Sequence, residues 1–505
     1  MVRTMIGVDS TGAGCIKIMK NNADDPRTTP DSQRSKFLYN SKFALQASVA
    51  DIEICNVITS SGSVVYRYFP AGSNASNYTS MEGSGGGDST WLYKNAHFAN
   101  LKYDVPLFDW KAKSNTTQRY NQAIVQRRFS GQYYHDQGGY YFTGNQRQGA
   151  WLQGYNGNIS QWGSFAFGTY ADITTSTLND QFNRFLSRDK RLIVWNLPGN
   201  SEAPKDAPPL APNGQKAIRI ASNAMLIARP GYNVDTADYW QIAYDSRRLP
   251  VKVIAAADIA LPGGITDYDT GVALPDTVAA DVHFYTGSTI MYPNNPVDLD
   301  FGAEYWFEGS RIRFSGGGNG MRARFMIYLE DNSAPSGGSN KVLRQFNDGT
   351  RDVVQFLRPG SADPPSWADI IIDTRWPAVQ ILAEGYFAVA AGNNVQTTIN
   401  FDANGMFPMV KYITEHGSGS RSNLGSWQKS FKMPYVKRLV YSYQGRPDAG
   451  DSTYCALTNT SATFHTFRGN VGDYYNDAGD PGTWKTTGVG DPPLGIRYYI
   501  FGIPA

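Results

Sequence analysis

Charge, cysteine and histidine are all scarce in this chain of 505 residues, and each scarcity removes a class of function. Charged residues make up 18%, with 46 bases against 44 acids and a formal net charge of +2. The chain as a whole therefore has no electrostatic claim on nucleic acid. Cys15, Cys55 and Cys455 are odd in number and too sparse for a disulfide framework. A Cys15–Cys55 pair is conceivable, but free buried thiols are the expectation. Five histidines (His97, His135, His283, His416, His465) lie at no metal-ligand spacing from one another or from a cysteine, so neither metal nor cofactor is expected. There is no apolar run of about 18 residues, so no membrane insertion by a helix is expected. The opening MVRTMIGVDSTGAG lacks an apolar signal-peptide core, which predicts synthesis in the cytoplasm without export. No long amphipathic helical period occurs; the best helical stretch, Thr177–Leu186, is short. Nucleophile elbows, HExxH and a helix-opening GxGxxG are missing, and GSGGGDST (residues 83–90) has no phosphate-binding lysine. Asp298, Asp300 and Glu304 read as exposed turn acids, because a glycosidase-type carboxylate pair acts through space and leaves no spacing to read. No enzymatic activity is expected.

What the chain has in quantity is Gly (51), Pro (27), Tyr (31), Phe (25) and Trp (11). That composition favours short strands and tight turns. The expected class is all-β: several small antiparallel β-sandwich modules in tandem, since 505 residues exceed one core. An internal repeat organises them. Arg229–Ala255 and Arg358–Ala383 both begin RPG and continue to YDSRRLPVKVIA and IDTRWPAVQILA; Gly-to-Asp gaps are 14 and 13 positions. A weaker copy, Tyr39–Val49, reads YNSKFALQASV. Pro-Gly suits a type II turn, Asp/Asn before Ser/Thr closes a local side-chain turn, and the β-branched residues that follow suit a strand. Each copy should be turn, strand, turn, strand.

The predicted modules are 1–90, 91–200, 216–332, 341–446 and an end module or arm, 447–505. Residues 199–215 (GNSEAPKDAPPLAPNGQ) and 333–340 (SAPSGGSN) read as linkers. Strands resembling one another close the modules: RLIVW (191–195), RARFMIY (322–328), VKRLVYSY (436–443) and IRYYIF (496–501). In Met321–Asp331, Met321, Ala323, Phe325, Ile327 and Leu329 alternate with Arg322, Arg324, Met326 and Tyr328, which predicts a strand with one face buried.

Two stretches are candidate contact surfaces. Residues 133–170 alternate aromatics with Gly, Asn and Gln, and Tyr140, Tyr141, Trp151, Tyr155 and Trp162 are the candidate glycan contacts: rings stack on sugars while amides bond hydroxyls. The same composition suits packed β-structure or a subunit interface. From His416 to Pro447 there is no acid, and Arg421, Lys429, Lys432, Lys437 and Arg438 form a candidate basic patch for an acidic partner face or phosphate-bearing sugars; ordinary solvated strand faces give the same pattern.

The opening MIGVDSTGAGCIKIMKNNADDPRTTPDSQRSKFLYNSK (5–42) resembles the N-terminal region of virion proteins from the tail modules of long-tailed bacteriophages. RPGYNVDTADYWQIAYDS (229–246) is similar to an element recurring in such proteins. The resemblance implies a virion structural protein of tail-tip or tail-fibre type, serving tail assembly and host attachment. Its partners would be other tail proteins, further copies of itself (a homotrimer favoured) and a host surface glycan. The competing expectation is a carbohydrate-binding receptor module or a glycan-degrading tail protein.

Overall fold

The computed structural model describes residues 3–43, 211–292, 303–416, 453–468 and 493–504, apart from short stretches within them, and isolated strands elsewhere. Between residues 44 and 210 it describes strand backbones only. The architecture is all-β, in several small antiparallel sheets. The helical segments among the described residues are single turns, such as Arg34–Lys36 and Trp367–Asp369.

One three-stranded sheet recurs three times. In unit one it comprises Thr4–Val8, Gly14–Met19 and Phe37–Asn40. In unit two it is Ile218–Ala221, Ala224–Ala228 and Ile242–Asp245. In unit three it is Leu343–Asn347, Asp352–Leu357 and Ile370–Asp373. The registers superimpose residue for residue. Thr4 faces Ile18, Ile218 faces Ile227 and Leu343 faces Phe356. On the other side of the central strand, Lys17 faces Asn40, Leu226 faces Asp245 and Gln355 faces Asp373. Each third strand carries a register shift at the same place, after Ile18, Ile227 and Phe356. Such a bulge turns the strand's entry without losing the buried face.

The Pro-Gly turns form as expected. Tyr232 N–H donates to Arg229 O (3.2 Å) and Ser361 N–H to Arg358 O (3.3 Å), with Gly231 and Gly360 at φ +89° and +87°. After the third strand each chain segment turns and enters a larger sheet. There the strand that closes the unit lies in the middle: Asp189–Asn196 between Ser48–Cys55 and Pro106–Lys113; Arg311–Leu329 between Lys252–Asp269 and Val278–Tyr285; Pro493–Pro504 between Gln380–Ala388 and Met406–His416. RLIVW, RARFMIY and IRYYIF thus hold equivalent places.

Three expectations need correction. The third unit does not end at 446, because its central strand is Pro493–Pro504; residues 493–504 are part of that sheet, not a separate arm. Of VKRLVYSY only Ser442 and Tyr443 are described, pairing with Arg446–Pro447, and the rest of that stretch lies outside the described residues. The boundary at 90/91 cuts the strand Ser89–Asn95, which pairs with Ser430–Lys432 of the third unit's sheet. Finally, Ala323–Leu329 is buried on both faces. Ala323, Phe325, Ile327 and Leu329 enter one core, while Met326 and Tyr328 pack on Met409, Ile413, Tyr499 and Phe501 of unit three. Alternation marks two faces; it says nothing about a second sheet arriving to cover the polar one.

Unit two makes its sandwich by bending a single ribbon. Strands Lys252–Asp269 and Arg311–Leu329 pair along most of their length, with register shifts at Ala260–Ile265. At that point Gly316, Gly317, Gly318, Asn319 and Gly320 all have positive φ. A Cβ on Gly317 would lie 2.5 Å from Leu261 O, so the two strands cross closer than any side chain permits. The outer half folds back, bringing Phe314 edge-on to Phe284 (6.2 Å) and beside Phe325 (5.4 Å).

Candidate assembly site at the shared core

The three small sheets share one apolar core. Ile16, Ile18 and Tyr39 come from unit one, Ile227 and Tyr244 from unit two, and Val354, Phe356, Ile371 and Ile372 from unit three. In register terms these are the same positions used three times, with Met225 as the partly buried counterpart of Ile16 and Val354. Tyr244 meets Phe356 edge to face at 6.3 Å. The Cβ that Gly14 lacks would fall 2.7 Å from Ala217 Cβ, so only glycine lets units one and two approach this closely.

The turn after each third strand closes the core by a repeated device. Ser41, Ser246 and Thr374 are buried. Their hydroxyls accept from the N–H groups of Ile16 (2.9 Å), Met225 (2.8 Å) and Val354 (2.9 Å). Their own N–H groups donate to the carbonyls of the same residues at 3.0, 2.9 and 3.1 Å. A side chain thereby extends the ladder one step past the strand end, where a buried amide would otherwise be orphaned. The residue before it fixes the base after it. Asp245 and Asp373 each accept from the backbone N–H and the guanidinium of Arg247 and Arg375, and Asn40 Oδ1 accepts from Lys42 N–H (3.1 Å).

The loops before the third strands lock unit to unit. Arg34 of unit one donates to Ile381 O (2.5 Å), and Ile381 N–H donates to Phe43 O (2.9 Å), just past unit three's turn. Lys252, just past unit two's turn, donates to Trp367 O in unit three's loop. Unit one thus leans on three and three on two, as closure around a common core requires. Arg229 pairs with Glu384 of unit three at 2.8 Å, both buried. Lys411 of unit three pairs with Asp281 of unit two at 2.7 Å, and Asp258 gathers Arg322, Arg324 and Tyr285 within 2.5–2.8 Å.

Hydrogen bonds set how two buried carboxyls, Asp9 and Asp369, titrate. Burial would raise the Asp9 carboxyl, but hydrogen bonds from Lys17, Thr11 and Lys42 outweigh it and hold it well below the usual carboxylate range. Burial likewise opposes ionisation of Asp369, yet bonds from Ser336 and Ser366 bring it down to about 2. Burial pushes the Cys15 thiol up to about 12. Cys15 and Cys455 are both free and buried, so Cys15 is not joined to Cys55.

The glycan candidates Tyr140, Tyr141, Trp151, Tyr155 and Trp162 lie outside the described residues, as do Thr177–Leu186, Lys429, Lys437 and Arg438. Arg421 and Lys432 sit on separate short strands, Gly419–Arg421 and Ser430–Lys432. Among the described residues no group of three or more His, Cys, Asp or Glu is placed to hold a metal, and no helix is long and apolar enough to cross a membrane. His465 stacks on Tyr454 (4.3 Å) with Nδ1 2.7 Å from Asn394 Oδ1, and burial lowers its pKa. The pairing of Arg229, Lys252 and Lys411 across units escaped the sequence reading, in which Lys252 stands only as a charge set inside an apolar strand.

Comparison with known proteins finds no matching family model, no matching curated protein and no matching solved structure.

Proposed function

We propose that the chain is a structural component of a bacteriophage virion, a tail-tip or tail-fibre protein that joins neighbouring tail proteins and contributes to host-surface attachment. One observation carries this reading: a single β unit occurs three times and is fused through a shared core, with Arg229–Glu384 and Asp281–Lys411 buried between units as fasteners. Ion pairs placed this way hold parts together. The resemblance of residues 5–42 and 229–246 to tail-module proteins supports the choice of particle. The role proposed is non-enzymatic. A homotrimer was the expected assembly; three units around one core supply within a single chain what three subunits would otherwise supply, so one chain suffices.

Immunogold labelling of purified particles with antibody raised against the recombinant chain tests the proposal. Gold confined to the tail supports it. Chain recovered only in the lysate, with unlabelled particles, overturns it. Depolymerisation of host surface polysaccharide by the purified chain would favour the glycan-degrading alternative. Solution mass tests the oligomer: 55.7 kDa is expected for one chain, and three times that value returns the homotrimer.

A further inference from the structure

Unit one carries a buried amine and amide where its two sister units do not. Lys17 lies at the position of Leu226 and Gln355, and Asn40 at that of Asp245 and Asp373, each pair facing across the same two strands. In unit three the side chains at these positions touch, Gln355 Nε2 donating to Asp373 Oδ2 at 2.6 Å. Directly opposed residues of this kind have Cβ atoms about 4.5–5.5 Å apart. Unit one thus sets a primary amine opposite a primary amide, and both residues are 1% exposed.

Two carboxylates complete the cluster. Lys17 Nζ is 2.8 Å from Asp9 Oδ2 and 2.8 Å from Asp31 Oδ1. Asn40 Nδ2 donates to that same Asp31 oxygen at 3.1 Å, so one oxygen holds the amine and the amide nitrogen together. Asn40 Oδ1 accepts from the Lys42 N–H at 3.1 Å. In units two and three the base at the place of Lys42 bonds the side chain two residues before it. The Lys42 ammonium instead turns to Asp9, Asp31 and Thr11. The Phe37 ring lies 5.5 Å from Lys17 Nζ. Two bases and two acids balance without the amide. What Asn40 adds is a carbonyl carbon, with an acid at its nitrogen and an N–H at its oxygen, which is an arrangement for acyl transfer.

We propose that Lys17 and Asn40 join in an intramolecular isopeptide bond, with Asp31 as the proton carrier. The inference goes beyond the virion reading and does not depend on it. The Lys17 ammonium first gives one proton to Asp9. The freed lone pair attacks Asn40 Cγ and forms the new C–N bond, while the carbonyl π pair moves onto Oδ1, where the Lys42 N–H receives it. Asp31 takes a second proton from Nζ and passes it to Nδ2. The carbonyl re-forms, the Cγ–Nδ2 bond breaks with its electron pair on nitrogen, and ammonia departs, carrying the Asp9 proton away as ammonium. No oxidant or co-reactant is consumed. Burial acts against the Lys17 ammonium, yet bonds from Asp31 and Asp9 raise its pKa. The resting amine is therefore charged, and bond formation is a slow single turnover that follows folding. The product ties Gly14–Met19 to Phe37–Asn40 across the loop from Lys20 to Lys36, the one loop of the three without a Pro-Gly turn.

The test is the intact mass of the denatured full chain, after incubation of the folded protein in mildly alkaline buffer until the mass is constant. Loss of one ammonia from the sequence mass is expected, together with a tryptic species in which Thr4–Lys20 is joined to Phe37–Lys42, because acylated Lys17 is no longer a cleavage site. Lys17→Arg and Asn40→Ala should each retain the full mass. Asp31→Asn keeps the shape but cannot carry the proton, and should slow the loss by about 10²–10⁴-fold; an unchanged rate overturns the role given to Asp31. The full sequence mass, with Thr4–Lys17 and Phe37–Lys42 released as separate peptides, overturns the proposal and leaves a purely ionic cluster. Ammonia loss that persists in Lys17→Arg marks a succinimide at an asparagine and also overturns it. The mass and the joined peptide are read on the unaltered chain, so a variant that fails to fold does not decide the outcome.

Discussion

Replacing Thr374 by valine exchanges one hydroxyl for a methyl group in the turn that closes unit three and keeps the side chain's shape. Thr374 Oγ1 accepts from the Val354 N–H at 2.9 Å, and both residues are buried. Valine fills the same volume, so packing is retained, but the amide loses its acceptor in a place water does not reach. Leaving a buried donor unsatisfied costs about 1–3 kcal/mol. The backbone bond from Thr374 N–H to Val354 O remains, which sets the expectation near the middle of that range. The same arithmetic applies to Ser246→Ala at Met225 and Ser41→Ala at Ile16. Urea denaturation of the full chain followed by tryptophan fluorescence reads the shift in midpoint for the transition that contains this core. Thr374→Ser keeps the acceptor and should restore most of the stability. If Thr374→Val, Ser246→Ala and Ser41→Ala all leave the midpoint unmoved, the hydroxyls are incidental and the repeated turn is not what closes the core.

Further expectations concern the bend, the fasteners and acid. Gly317→Ala should destabilise strongly, because φ is +104° and the new Cβ meets Leu261 O at 2.5 Å, whereas Gly318→Ala, at φ +97° in open space, should cost only its backbone strain of about 1–3 kcal/mol; paired thermal melts compare them. Lys411→Met strands the Asp281 carboxylate between units two and three and should cost about 3–5 kcal/mol, much of it recovered in the Lys411→Met/Asp281→Leu double variant; denaturant titrations decide. Asp369 titrates at about 2 when folded, below its ordinary 3.8, so its contribution is complete above the ordinary value and is lost as pH falls towards 2. Asp369→Asn should therefore lower stability at neutral pH and flatten the acid limb of the stability–pH curve.

The turns of the repeat were legible in the sequence because turn geometry restricts residue type. Gly231 and Gly360 must adopt positive φ, and only an Asp or Asn followed by a hydroxyl residue makes the closing bonds at 40–41, 245–246 and 373–374. The hairpin in front of each turn was not legible. GCIKIM, AMLIA and DVVQFL share a register but almost no residues, since a buried strand position asks only for an apolar side chain of suitable size. Unit one hid further: Asn21-Asn22 stand where the others have Pro-Gly, and its loop from Lys20 to Lys36 is longer than Arg229–Gln241 or Arg358–Asp369, though all three close with the same backbone bond (2.8, 2.6 and 2.8 Å). The fusion of the three copies into one core was invisible for a different reason. Each copy shows its own apolar face, but which faces meet is a matter of tertiary arrangement. The same holds for Arg324, whose partners Asp258, Pro408 and Asn459 come from three distant stretches.

The shared core is tested most directly by amide hydrogen exchange on Ile18→Ala, a cavity in unit one that should cost about 2–5 kcal/mol. Because Ile18 packs in the same cluster as Ile227 and Phe356, exchange at the Ile16, Met225 and Val354 amides should quicken together. Faster exchange at Ile16 alone, with Met225 and Val354 unchanged, would mean three independent sheets and would contradict the account.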